Sequence, residues 1–172
     1  SLIEKALKYR EYFSPYVSFY IQLLIASNKL LKAKNYLYKA WNKFSHPELK
    51  NEIKLLSQKL KISYYELAKF ITANSSNAFD SKILLTESLI KDQSWLKAKE
   101  ELSSLLKHKP HREVCLLMAK IEEGDTNDPQ KINSWVARAN FGKLNKIWVC
   151  RISNIPQLEW SSVSKAGYFN SL

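Results

Sequence analysis

Apolar residues recur every three or four positions along most of the chain, which is the spacing of amphipathic α-helices. In the stretch 95–110, Ala98, Leu102 and Leu105 are four and three residues apart and fall on one helical face. The same spacing occurs around 33–40, where Ala33 and Ala40 flank a leucine. The pattern therefore predicts an all-α fold in which these small residues lie at close helix contacts.

Prolines and capping residues divide this pattern into short helices. Four of the five prolines precede an apolar periodic stretch, where the N–H that proline lacks would have no helical partner. Several starts, including the one at Pro47, carry N-cap side chains, namely Asn28, Ser45 (with Glu48), Ser63 (with Glu66) and Asp92. Together these signals predict helices over 1–12, 15–27, 29–44, 47–60, 63–73, 78–91, 93–107, 110–123 and 129–140.

The predicted helix starts recur at a regular interval. Alternate starts fall at positions 15, 47, 78 and 110, and the intervening starts fall at positions 29, 63, 93 and 129. Both series advance by nearly constant steps, close to the period of about 34 residues that is typical of the helix pairs in tetratricopeptide (TPR) repeats. We therefore expect residues 1–140 to form an α-solenoid of stacked antiparallel helix pairs, with a continuous helical bundle as the alternative.

The tail, residues 141–172, lacks this periodicity and is rich in aromatic residues. We expect it to be an irregular segment of the same domain that caps the exposed apolar face of the last helix pair. Four tryptophans are expected to pack structurally, namely Trp41, Trp135, Trp148 and Trp160.

The charge is strongly positive and unevenly distributed. The net charge is +11, and residues 1–72 hold 13 Lys/Arg against five Asp/Glu. A basic N-terminal part of this kind is typical of proteins that bind RNA, an acidic protein or anionic lipid. Lysines that are simply exposed to solvent on helix faces would give the same composition. No run approaches the roughly 18 apolar residues that suggest a membrane span.

Candidate chemistry is sparse. The three histidines leave His108, His111 and Cys115 as the best cluster, and His111 and Cys115 are four residues apart on one helical face. Only three ligands are present, and the cysteine precedes an apolar run in which a thiol behaves as a small hydrophobe. No hydrolase, zinc-protease, P-loop or dinucleotide motif occurs. We therefore predict a chain that is not an enzyme, without a metal site or a cofactor.

Several stretches resemble the C-terminal part of HemY-type proteins. They are "AWNKFSHPEL" (40–49), "WLKAKEELSSLL" (95–106), "VCLLMAKIEEGDTNDPQKINSWVARA" (114–139) and the closing aromatic segment. The resemblance implies a bacterial inner-membrane protein with N-terminal membrane helices, a TPR domain and a link to late protohaem synthesis. This chain would then be the soluble part, anchored through a segment that it does not contain. Some relatives carry paired cysteines in the tail, whereas Cys150 stands alone with Ser153 at the partner position.

The leading functional hypothesis is a protein–protein interaction scaffold whose partners include porphyrin-pathway enzymes. TPR grooves bind peptides through residues of the first helix in each pair. By repeat position, the candidates are Ser18, Gln22, Glu52, Lys59, Glu87 and Lys91. One alternative is direct haem or porphyrin binding through His108 or His111, and another is RNA binding by basic helical repeats.

Overall fold

The computed structural model describes residues 14–43, 45, 47–106 and 110–142, and the backbone of 148–149 and 156–157. Its helices are α1 (Ser14–Ala26), α2 (Leu30–Lys43), α3 (Lys50–Leu60), α4 (Tyr64–Ile71), α5 (Phe79–Lys91), α6 (Trp95–Ser103), α7 (Arg112–Asp125) and α8 (Pro129–Asn140). A 3₁₀ turn, Pro47–Leu49, leads into α3, and the two-residue strands β1 (Trp148–Val149) and β2 (Pro156–Gln157) pair antiparallel.

The all-α prediction is confirmed, and no end of α1–α8 differs from its predicted position by more than four residues when the 3₁₀ turn is counted with α3. The predicted helix over 1–12 lies outside the described residues. So does most of the proposed cap, including Trp160 and the side chain of Trp148.

Two of the predicted helix starts carry a side-chain cap, and the cap at Ser63 is the one that the sequence predicted. At α4, the Ser63 hydroxyl accepts from the Glu66 amide at 3.0 Å, and the Ser63 amide donates to the Glu66 carboxylate at 3.2 Å. At α8, Asp128 accepts from the Gln130 amide at 2.9 Å, with a proline at the first helical position. These side chains satisfy amides that have no partner inside the helix.

The other capping predictions are wrong. Ser45 donates its hydroxyl hydrogen bond to Asp80 of α5 at 2.8 Å, because a 3₁₀ turn separates it from α3. Asn28 adopts a left-handed conformation in the turn before α2, and Asp92 closes the C-terminus of α5. Both residues therefore belong to the end of the preceding helix rather than to the start of the next.

Each turn between paired helices contains one left-handed residue that is not glycine. These residues are Asn28, Lys61, Gln93 and Asn127, and they follow one another at nearly equal intervals along the sequence. In the first three turns the following amide reaches back five residues to a helix carbonyl, as from Lys29 to Leu24 at 2.8 Å. This is the Schellman type of helix ending, which satisfies carbonyls that the helix leaves free. A left-handed residue thus marks each of the four chain reversals, at a nearly constant interval.

Each α-helix packs against the next one in the chain, and the more extensive of the further contacts join α1 to α3, α2 to α4 and α5 to α7. Apolar side chains form one cluster across α1–α4 that extends onto α5, and a second across α5–α8. The expected small residues lie inside these clusters, since Ala33, Ala40 and Ala98 are buried. Trp135 is half-buried at the edge of the second cluster.

Trp41 of α2 connects this helix to α5 through a hydrogen bond within the first apolar cluster. Its side chain is 1% exposed, and its Nε1 donates to the buried hydroxyl of Ser81 at 3.0 Å. The Ser81 hydroxyl also lies 3.2 Å from that of Ser75. Because a buried indole N–H needs a hydrogen-bond partner, this contact fixes the orientation of the largest side chain in the cluster.

Gly124 provides the space for a tryptophan of the neighbouring helix. A Cβ atom built at this position would lie 2.4 Å from the Cη2 and Cζ2 atoms of Trp95. Replacing a helical glycine by alanine ordinarily stabilises a protein by about 0.5–1 kcal/mol. We expect Gly124→Ala instead to lower the free energy of unfolding by about 1 kcal/mol, because the indole must leave its packing site. Urea denaturation followed by circular dichroism measures this change.

The sign of that effect depends on Trp95. In a Trp95→Ala background the clash is absent, and Gly124→Ala is expected to become stabilising by about 0.5 kcal/mol or more. If Gly124→Ala stabilised the protein that retains Trp95, the close approach of the indole to α7 would be contradicted.

Candidate functional site

The six predicted partner-binding residues lie on α1, α3 and α5, the first helices of three successive pairs. The structure brings three of them together. The Ser18 hydroxyl and the Gln22 amide both donate to Oε1 of Glu52, the latter at 3.0 Å, and Gln22 also donates to Ser18 at 3.3 Å. This cluster joins α1 to α3 by side-chain hydrogen bonds.

Glu52 is a buried joint rather than an exposed contact residue. Its side chain is 6% exposed, and its second carboxylate oxygen is buried without a hydrogen-bond partner within the described part of the chain. A partner protein would therefore have to displace the helices to reach Glu52, which the sequence predicted to line a partner-binding groove. Gln22 remains exposed beside it and offers the accessible polar group of this cluster.

A second polar cluster joins α3, α5 and α7. The Lys50 ammonium lies 3.0 Å from both carboxylate oxygens of Glu87 and 3.7 Å from a carboxylate oxygen of Glu113. The three side chains are 19%, 31% and 30% exposed, so the cluster is partly shielded from solvent. One lysine thus contacts carboxylates on two other helices.

Of the three residues in this cluster, Glu87 was predicted from the sequence, whereas Lys50 and Glu113 were not. A usable signal was present, because each of the two stands three residues after a helix-starting proline, as Ser18 does after Pro15. These three residues therefore occupy equivalent sequence positions in three of the four first helices, α1, α3 and α7. Together, the two clusters connect α1, α3, α5 and α7 by polar contacts.

The two remaining candidates lie apart from these clusters. Lys91 is exposed, and its ammonium lies 5.5 Å from the centroid of the Tyr64 ring on α4. Burial raises the pKa of the Tyr64 hydroxyl above its ordinary value, and the nearby charge of Glu87 adds to that shift. Lys59 is exposed near the C-terminus of α3.

The first helices also expose apolar side chains. Phe19 and Leu23 on α1, Leu55 on α3 and Leu116 on α7 are each more than a third exposed. Apolar groups of this kind supply contact area when they lie beside ordered polar groups. We define the first-helix surface as these four side chains together with Gln22 and the Lys50 cluster.

The His–Cys cluster offers little reactive chemistry. Cys115 is buried, and this burial raises the pKa of its thiol, an effect that the charge of Arg138 partly opposes. The His111 ring packs against Phe79, with centroids 4.7 Å apart, while His108 and Cys150 lie outside the described residues. Within residues 14–142, apart from the gaps noted above, no three His, Cys, Asp or Glu side chains converge as metal ligands.

The raised pKa of Cys115 predicts low thiol reactivity. The experiment uses a Cys150→Ser protein at pH 8. In the folded protein, we expect the Cys115 thiol to react with a disulfide reagent at least about tenfold more slowly than it does in denaturant, because burial and protonation both suppress the thiolate. The rate is read from absorbance of the released chromophore. Equal rates in the two conditions would contradict the buried position of Cys115.

Among the described helices, none has both the length and the apolar character that crossing a bilayer requires. No protein-family model matches the chain, and no curated protein or solved structure does so either.

Proposed function

We propose that the chain is a non-catalytic interaction scaffold built from TPR-like helix pairs, with the first-helix surface as its binding face. The left-handed turns at Asn28, Lys61, Gln93 and Asn127 recur at nearly equal intervals, which supports a repeat close to the TPR period of about 34 residues. So do the additional contacts of α1 with α3, α2 with α4 and α5 with α7, since stacked pairs place like helices side by side.

The observation that carries the proposal is the connected set of polar contacts across the first helices. Ser18, Gln22 and Glu52 link α1 to α3, and Lys50 links α3 to α5 and α7. These contacts hold four helices in a defined spacing before any partner arrives. A surface that is ordered in advance loses less conformational entropy on binding, which favours recognition of another protein.

The resemblance to HemY-type proteins adds a narrower hypothesis. It proposes porphyrin-pathway enzymes as the partners and the bacterial inner membrane as the location, with an anchor outside this chain. This hypothesis rests on the sequence stretches at 40–49 and 95–172. Direct haem binding gains little support from the described residues, since Cys115 is buried and the His111 ring is packed against Phe79.

Site-specific photocrosslinking tests the proposed face. A photoreactive amino acid is placed at Leu55 on α3 or, as a matched control, at Leu96 on α6, which is also an exposed leucine. In cells of the source species, we expect a discrete crosslinked protein from position 55 and none from position 96. Leu116→Asp should remove that crosslink while leaving the circular dichroism spectrum unchanged. Equal crosslinking from the two positions would refute the assignment of the binding face.

A further inference from the structure

The second helices α2 and α4 carry a surface of a different character. Helix α2 contains four lysines and no acidic residue. Its exposed positions 32, 35, 39 and 43 follow helical spacing and form one stripe, in which three of the four residues are lysines. We define the lysine face as Lys32, Lys39 and Lys43 of this stripe, with Lys29 in the preceding turn and Lys69 on α4.

Helices α2 and α4 lie side by side, so these lysines belong to one layer. The rings of Tyr38 and Phe70 are 5.3 Å apart, and the Asn42 side-chain amide donates to the Ile71 carbonyl at 3.2 Å. Lys39 and Lys69 are both exposed on this layer. The lysine face is therefore a surface shared by two packed helices.

Acidic residues are few in the part of the chain that carries this face. Residues 14–72 contain ten lysines, three glutamates and no arginine. Glu52 is buried in its hydrogen bonds with α1, and Glu66 caps α4. In the part of the chain that the structure describes, Lys29, Lys39 and Lys69 form no ion pair.

A surface of this charge attracts an extended anion, and two observations favour lipid over nucleic acid. Base stacking needs open aromatic faces, and Phe70 is the exposed aromatic side chain of α2 and α4. The Lys34 ammonium lies 4.1 Å from the centroid of the Phe70 ring and thus covers one of its faces. Leu31, between Lys29 and Lys32, is 71% exposed. Phosphate groups alone offer no apolar contact to an aliphatic side chain among lysines. A bilayer does, because such a side chain can enter the boundary between lipid headgroups and acyl chains.

We propose that the lysine face docks on an anionic bilayer surface, with its ammonium groups beside lipid phosphates and Leu31 in the headgroup–acyl boundary. The docking is peripheral, and it uses helices other than those of the first-helix surface. One molecule can therefore hold a lipid surface and a protein partner at the same time.

Vesicle co-sedimentation tests this proposal. Wild-type protein is expected to sediment with vesicles of mixed phosphatidylcholine and phosphatidylglycerol, to remain in solution with phosphatidylcholine alone, and to dissociate as salt is raised. The double variant Lys39→Glu/Lys69→Glu should lose about tenfold or more in the partition coefficient. Leu31→Ser should weaken the binding that remains at high salt.

The matched control is Lys97→Glu/Lys120→Glu, which makes the same change in net charge at exposed lysines of α6 and α7. The partition coefficient of this control variant should fall by less than about threefold, because its two substituted positions lie outside the lysine face. Equal losses in the two double variants would overturn the proposal, as would failure of the wild type to sediment with anionic vesicles. Binding of a single-stranded RNA oligonucleotide can be measured by fluorescence anisotropy. If the wild type bound this RNA more strongly than anionic vesicles, and the Lys39→Glu/Lys69→Glu variant lost that binding, the face would instead be assigned to nucleic acid. If melting shows that the glutamate variant is unfolded, Lys39→Gln/Lys69→Gln replaces it with the same criteria.

Discussion

Ala98→Arg is expected to lower the free energy of unfolding by about 4 kcal/mol or more. Ala98 has no exposed surface and lies in the apolar cluster shared by α5–α8. A longer side chain overpacks this contact at a cost of about 1–3 kcal/mol, and burial of an unpaired charge adds several more. The total free energy of unfolding of a domain is about 5–15 kcal/mol. Thermal melting should therefore show a large decrease in the melting temperature or no unfolding transition at all.

The neighbouring residue provides the control. Lys97 is exposed on the same helix, and Lys97→Arg keeps the charge. This substitution is expected to change the melting temperature by no more than a degree or two and the free energy of unfolding by about 0.5 kcal/mol or less. An Ala98→Arg protein that melts with the wild type would show that α6 does not pack through this face. The predicted register of small residues along the chain would then be wrong.

Trp41→Ala is expected to cost about 3–5 kcal/mol, the range for removing a large aromatic side chain from a core. The substitution removes the contacts of an almost fully buried ring and the hydrogen bond that its Nε1 donates to Ser81. The Ser81 hydroxyl keeps its contact with Ser75, so the loss is mainly one of packing. Chemical denaturation at equilibrium measures it.

Trp41→Phe separates the two contributions. Phenylalanine retains most of the apolar volume but cannot donate to Ser81, so we expect a smaller loss of about 1–2 kcal/mol. Combining it with Ser81→Ala should be less costly than the sum of the single changes, because both remove the same hydrogen bond. Strict additivity would show that this bond contributes nothing to stability.

The helices were predictable because their signals are local. Apolar spacing marked the buried faces, and prolines at first turns fixed several starts, as Pro129 does for α8. The burial of Ala33, Ala40 and Ala98 followed from the same spacing, since only small residues allow helix axes to approach closely.

The contacts between helices were not predictable in the same way. Lys50 meets Glu87 and Glu113 although each lies on a different helix far along the sequence, and such pairings depend on how the pairs stack. Glu52 was placed on the correct helix but turned out to be buried, because a small error in register moves a side chain from groove to interior. The left-handed conformations of Lys61 and Gln93 left no sequence signal, since glycine or asparagine is the usual residue there.

The left-handed turns also bear on how the chain acquires its shape. Each reversal is closed by backbone hydrogen bonds that span no more than five residues, so two consecutive helices meet at a small cost in loop-closure entropy. Proteins dominated by such short-range contacts fold quickly, on the microsecond to millisecond scale. A nascent chain leaving the ribosome can therefore pair each new helix with the one just made, without waiting for its C-terminal half. Formation of the structure then keeps pace with its synthesis.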